Sequence, residues 1–387
     1  MADEYKEHKN MRKKMLFIFI CCVSLAGIVI GYSRQKHSRS SNNITSNNRE
    51  EKDVINDEEQ SSGQISAETI VLGEQVIELE DGLSAVRYEG NYGFDEFLVQ
   101  GGASSDQAVA EYLTSSISGS GLKVLFGGNP FGCSTLSAAG KKGGYLFGRN
   151  FDWENCNAMI VSANPENGYA SVSTVNTDFI RAGGFDTSKL PDQIQAIIGL
   201  YAPLDGMNEK GLAVSVNMIQ DSDMISQDTG KTDITTTTAI RLLLDQAATV
   251  QEAIDLLSQY DLHASMGMMV HFAIADAAGN SSAVEYIGNE MSVIETPAVT
   301  NFYLTEGEKY GIGTEQSHER YNILLDRLDT ETTMTEIDMR NALDGVSKHN
   351  FDEFESTEWS IVMNQQTKEL VYFHRENYEH GYRITVE

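Results

Sequence analysis

"NPFGCSTLSAAGKKGGYLFGRNFDW", residues 129–153, decides how the rest of this 387-residue chain is read. Two apolar, β-rich runs, "CSTLSAA" and "GGYLFGRN", flank a Gly-Lys-Lys-Gly-Gly turn, so the stretch reads as a hairpin. A turn centred near Lys141 and Lys142 sets Cys133 opposite Asn150 and brings Arg149 and Asp152 to the same strand end. Those two are three residues apart, so a straight strand points them to opposite faces. A bend is therefore expected, and Gly148 eases it. A guanidinium and a carboxylate beside a thiol can lower its pKa and hold a second group in line.

A cysteine nucleophile needs a base, and no histidine lies nearby in sequence. A cut between Gly132 and Cys133 would supply one. A free α-amine titrates at about 7.7 to 8.0, well placed to take a thiol proton at neutral pH. Cys133 would then carry both nucleophile and base, a thiol version of the threonine and N-terminal amine arrangement. Taken alone, the stretch favours a buried cysteine beside a surface ion pair, so the rest of the chain has to decide.

Beyond the hairpin the pattern is strands, then helices, then strands. "GLAVSVNMI" reads as a strand after "LDGMNEK". "DITTTTAIRLLLDQAATVQEAIDLLSQYD" holds two helices, the second opened by a "TVQE" capping box. "MVHFAIADAAGNSSAVEYIG" is a hairpin, "SHERYNILLDRL" has helical spacing, and "EWSIVMNQQTKELVYFH" is a closing hairpin. This order implies sheets with helices packed outside them, without βαβ alternation.

Residues 67–132 carry β-rich alternation ("ETIVLGEQVIELEDGLSAVRYEG") and a capped helix ("SSDQAVAEYLTSSI"), and read as a minor domain or pro-segment. Residues 33–66 are polar and read as a disordered tether. Residues 15–32, "MLFIFICCVSLAGIVIGY", are 18 uncharged positions, nearly enough to span a bilayer. Lys9, Arg12, Lys13 and Lys14 precede them, so 1–14 is expected to stay cytoplasmic and the remainder to be exported. A lipoprotein box is not completed, because Ile28 stands where a cysteine is needed. The expectation is an uncleaved single-pass signal anchor with an extracytoplasmic domain, a cleaved signal peptide being the rival reading.

Composition narrows the classes further. With 28 Lys and Arg against 57 Asp and Glu, the formal charge of −29 repels polyanions, so nucleic acid is not an expected partner. Of 4 cysteines, Cys21 and Cys22 lie in the apolar segment, leaving Cys133 and Cys156, too few for a disulfide framework or zinc site. The 8 histidines form no HxxxH or HExxH pair and read as ordinary surface or core residues, so no metal or other cofactor is expected. A papain-like protease lacks its expected residues around the cysteine.

Five ordered motifs resemble the choloylglycine hydrolase and penicillin V acylase group of N-terminal nucleophile hydrolases. "CST" and "LFGRNFD" resemble the group's N-terminal cysteine, arginine and aspartate, with the same separations of sixteen and nineteen residues. "LDGMNEKGLAVSVNM", "AVTNFYL", "SHERYNIL" and "STEWSIVMNQQTKEL" resemble later motifs in the same order.

The resemblance covers residues 133–387 and implies a four-layer αββα sandwich. It implies that Cys133 is the nucleophile, that Asp152 holds its α-amine, and that Arg149 and Arg320 tune the thiolate and orient the acyl group. Asn301, and with a one-residue offset Asn217, would donate to the oxyanion. The implied activity is hydrolysis of a linear C–N amide in a small N-acyl substrate through an acyl-thioester. The 132 residues before Cys133 are more like the self-cleaving penicillin acyltransferase and acid ceramidase relatives. The alternative is an unprocessed, inactive surface ligand-binding relative, and the oligomeric state stays open.

Overall fold

The computed structural model describes residues 65–118, 132–181, 187–349 and 355–387. The basic tail, the apolar segment 15–32 and nearly all of the tether lie outside them. Among the described residues, no helix is long and apolar enough to cross a membrane.

The opening hairpin forms, with Gly132–Ala139 antiparallel to Tyr145–Trp153. Its register differs by one residue from the sequence expectation. The five-residue loop centres on Lys142, so Cys133 pairs with Phe151, and Gly132 with Asp152. A one-residue slip exchanges faces. Cys133, Thr135, Arg149 and Phe151 therefore share one face, while Gly132, Ser134, Asn150 and Asp152 share the other. The expected bend at Gly148 is absent, because the strand runs unbroken through it to Trp153. The glycine serves packing instead. A Cβ there would lie 2.5 Å from Met339 Sδ.

The hairpin lies in a seven-stranded sheet ordered Ala67–Thr69, Gly381–Thr385, Glu369–His374, Ser356–Asn364, Tyr145–Trp153, Gly132–Ala139, Ala298–Val299. A nine-stranded sheet runs Glu290–Glu295, Ser281–Ile287, Met269–Ala275, Ala213–Ile219, Asp205–Asn208, Ser171–Asn176, Ala158–Asn164, Leu83–Glu89, Ile77–Glu80. Helices Glu315–Thr330 and Glu336–Asp344 pack on the first sheet. Asp192–Leu200, Thr236–Gln246 and Val250–Leu257 pack on the second. Between the sheets, Phe147, Phe151, Trp359 and Ile361, on the face of Arg149, share a core with Met207, Ala213 and Ala273, on the face of Asp205 and Asn217. The order is helices, sheet, sheet, helices, an α+β arrangement as the run of elements implies. Threonines start these helices: Thr235 closes a capping box with Thr238, and Thr249 accepts from Glu252 N–H.

The described residues 65–118 do not form a separate minor domain. Leu83–Glu89 pairs in parallel with Ala158–Asn164, and Ala67–Thr69 in parallel with Gly381–Thr385, so this segment supplies strands to both sheets. Phe94, Phe97 and Tyr112 pack edge-on or tilted around Tyr201. Ile65, assigned to the tether from sequence, is buried, and its carbonyl accepts from Arg383.

The "LDGMN" glycine has a local cause. A Cβ on Gly206 would lie 2.6 Å from the Val172 carbonyl oxygen and 2.8 Å from Leu244 Cδ1, so strand and helix close over it. Gly206→Ala is expected to destabilise the chain by about 1 to 3 kcal/mol through overpacking. A denaturant melt checks this; an unchanged midpoint would refute it.

Candidate active site

Cys133 is fully buried at the start of its strand, and its two functional ends face different neighbourhoods. The nitrogen end is enclosed by carbonyl, guanidinium and carboxylate groups. Its N–H donates to Asn301 Oδ1 at 2.9 Å. Arg320, from the helix capped by Thr314, donates to that same oxygen at 2.7 Å and to the Cys133 carbonyl at 2.9 Å. The guanidinium also donates to Ser134 Oγ at 2.6 Å and to Asp152 Oδ2 at 3.1 Å. The second Asp152 oxygen accepts from Thr357 Oγ1 at 2.7 Å, its cross-strand neighbour. Asn301 is fixed at two further points, donating through Nδ2 to the Met218 carbonyl and through its N–H to Ser317 Oγ.

The thiol end faces the space between the sheets. Arg149 lies on that face and is fully buried. It donates to Asp205 Oδ2 and to Asn217 Oδ1, each at 3.3 Å, both residues coming from the opposite sheet. Trp359 Nε1 donates to the same Asp205 oxygen at 2.9 Å. Asn217 Nδ2 donates to the Val299 carbonyl at 3.0 Å. Arg149 Nη2 is buried with no oxygen or nitrogen partner. The other five residues singled out in the sequence therefore converge on Cys133 or on its direct partners.

Electrostatics correct one expectation. Burial pushes the Cys133 thiol up to about 11, the nearby Asp152 carboxylate adds to this, and Arg149 and Arg320 only partly offset it. The thiol is thus not lowered by its charged neighbours, because desolvation of the thiolate outweighs them. Burial also raises the Asp205 carboxyl, with Arg149 and the Trp359 indole pulling it back.

Sequence reasoning missed Asp205, Thr357, Ser317 and Trp359. Asp205 stands in the quoted "LDGMN" motif, but an Asp-Gly pair reads as a turn. The other three join the site through contacts across sequence separations that no local pattern reveals. The histidine reading agrees with the structure at His271, a buried core residue bonded to Glu285 and to the Thr300 carbonyl, each at 2.9 Å. Among the described residues, no group of three or more His, Cys, Asp or Glu is placed to hold a metal.

Residues 139–377 match the model of the acyl-coenzyme A:6-aminopenicillanic acid acyl-transferase family. The chain belongs to that family. The match takes in Arg149, Asp152, Asn217, Asn301 and Arg320 and begins just after Cys133. This is the N-terminal nucleophile group that the ordered motifs resemble. Among solved structures, penicillin V acylase from Agrobacterium tumefaciens is 18% identical at a TM-score of 0.46, over 62% of this chain and 83% of that one. A variant of the conjugated bile acid hydrolase from Clostridium perfringens is 18% identical at 0.47, over 63% and 90%. A second variant of that hydrolase gives 18% and 0.46 over the same shares. No curated protein matches the sequence.

The raised thiol gives this acyl-transferase family member a signature in stability. A thiol is neutral when protonated, so above pH 9 the folded chain keeps a proton that the unfolded chain has released. Stability therefore falls as pH rises toward 11, by up to about 3 kcal/mol from this group. With the Gly132–Cys133 bond intact, Cys133→Ala should unfold with a shallower decline over that window than the native sequence. Parallel slopes in paired denaturant melts would contradict the assignment.

Proposed function

We propose that the chain hydrolyses a linear amide of a small N-acyl compound through an acyl-thioester on Cys133, after cutting itself between Gly132 and Cys133. The observation that carries this reading is where the polar groups converge. Asn301 accepts from the nitrogen of Cys133, and Arg320 ties that Asn301 oxygen and the Cys133 carbonyl to Asp152. A peptide N–H needs one acceptor. A freed amine offers more hydrogens; in this reading the Asn301 carbonyl takes one and the Asp152 carboxylate, bonded to the same Arg320, takes another.

The chemistry then balances within one residue. The α-amine takes the thiol proton as sulfur attacks the amide carbon, forming the C–S bond. Negative charge grows on the substrate oxygen. Arg149 Nη2 is available on the thiol's face, and the Asn217 and Asn301 amides each keep a second N–H beyond the one bonded to a main-chain carbonyl. The ammonium gives its proton to the departing nitrogen as the C–N bond breaks. Water, deprotonated by the same amine, attacks the thioester, the C–S bond breaks, and the acid leaves with the thiol restored. An amine in place of that water gives acyl transfer by the same steps, which is the activity the family's name carries.

Mass spectrometry of active protein should find a fragment beginning at Cys133. Cys133→Ala should abolish both the fragment and turnover of N-acyl amides, and Cys156→Ala should keep both. Full activity from an uncut chain sinks the self-cleavage, and turnover by Cys133→Ala sinks the nucleophile.

The same reading places the catalytic part outside the cytoplasm, behind an anchor at 15–32. After the cut, the preceding segment stays on by strand pairing and by burial of Leu83, Val86, Phe94 and Phe97, each contributing about 1.5 to 3 kcal/mol. The Cys133-ended fragment should remain with membranes through a high-salt wash. Its appearance in the medium without treatment would refute this retention.

A further inference from the structure

The amide chemistry above makes no use of two charged groups that meet at Gly132. A Cβ built there would lie 2.5 Å from Glu355 Oε1, 2.7 Å from Lys348 Nζ and 2.9 Å from Asp152 Oδ2. No side chain fits without displacing an ion pair. Gly132 has no positive φ to explain its identity, so the restriction is one of space and charge. Lys348 is buried, with its ammonium 2.6 Å from Glu355 Oε2. A buried ammonium is costly unless paired, and this one is paired against the residue that precedes the thiol.

Lys348 is also tied to the nitrogen end of the site. Its N–H donates to Thr357 Oγ1 at 2.8 Å, and its carbonyl accepts from Thr357 N–H at 3.0 Å. The same Thr357 hydroxyl donates to Asp152 Oδ1. Lys348, Thr357 and Asp152 thus move as one unit around Gly132.

We propose that Lys348 and Glu355 form a seat for Gly132 that positions the Gly132–Cys133 peptide for the chain's own cleavage. The inference rests on the reading of Cys133 as a self-released nucleophile. In that cut the Cys133 sulfur attacks the Gly132 carbonyl carbon, and the C–S bond forms. The thiol proton passes to the Cys133 nitrogen as the C–N bond breaks, leaving a thioester. Water then cleaves the C–S bond, giving the Gly132 carboxylate and a free thiol. Negative charge appears on Gly132 first as an oxyanion and finally as a carboxylate. Lys348 is the cation against that residue, and Glu355 holds it in place beforehand. Both are positioning residues for the cut.

The test follows the appearance of the Cys133-ended fragment in the full chain refolded from denaturant, by mass spectrometry, with melting temperatures measured alongside. Gly132→Ala and Lys348→Met are expected to slow the cut at least tenfold, and Lys348→Arg to recover most of the rate, all with melting temperatures near that of uncut Cys133→Ala. A Lys348→Met chain cut at the native rate overturns the proposal. So does slowing that Arg fails to rescue and that tracks lost melting temperature. If Lys348→Met does not fold, Gly132→Ala decides, since it leaves the lysine in place, and a native rate there overturns the seat. An uncut native chain overturns the reading of Cys133 as well, whereas a cut native chain with an unaffected Gly132→Ala overturns the seat alone.

Discussion

The guanidinium of Arg320 is the group on which the site depends. It donates to the Cys133 carbonyl, Ser134 Oγ, Asp152 Oδ2 and Asn301 Oδ1, joining both hairpin strands and the loop after Val299. Its side chain is 6% exposed and that of Asp152 fully buried, so neither charge has water to fall back on. Removing one partner of such a pair strands the other, at a typical cost of about 3 to 5 kcal/mol. The helix that carries Arg320, the cap that starts it and the strand that carries Asp152 must therefore keep their relative places to within a hydrogen bond.

The odd spacing of Arg149 and Asp152 follows from this division. Residues three apart on a strand face opposite ways, and the site needs that. Arg149 serves the thiol's face, where Asp205 and Asn217 reach across from the other sheet. Asp152 serves the other face, where Arg320 arrives from the helix layer. Cys133 sits at the strand end, where both faces are within reach.

Much of this was legible in the sequence because it is local. Turn glycines, alternating strands, threonine caps and helical spacing placed the hairpins and helices, and the motif order brought the six site residues together. The one-residue register error came from a five-residue loop read as centred between its lysines, which local composition cannot resolve. The thiol was read as lowered because its charged neighbours are visible in sequence and its burial is not. Asp205, Thr357, Lys348 and Glu355 went unread for a related reason: each acts on the hairpin from a segment far along the chain. The segment before Cys133 looked separable because its strands show no partner in sequence. Their partners are the strands Ala158–Asn164 and Gly381–Thr385.

That last pairing has a consequence for how the molecule is made. Among the described residues, the strand Ala67–Thr69 finds its neighbour in Gly381–Thr385, far along the chain. Asn301 and Arg320 likewise reach Cys133 across 168 and 187 positions. Contacts of such separation form late, because loop closure has to precede the gain they bring. Until those later segments close onto it, the hairpin has the thiol but not its neighbours. The surroundings of Cys133 are in this sense timed by topology, assembled from segments that reach the hairpin from far along the chain.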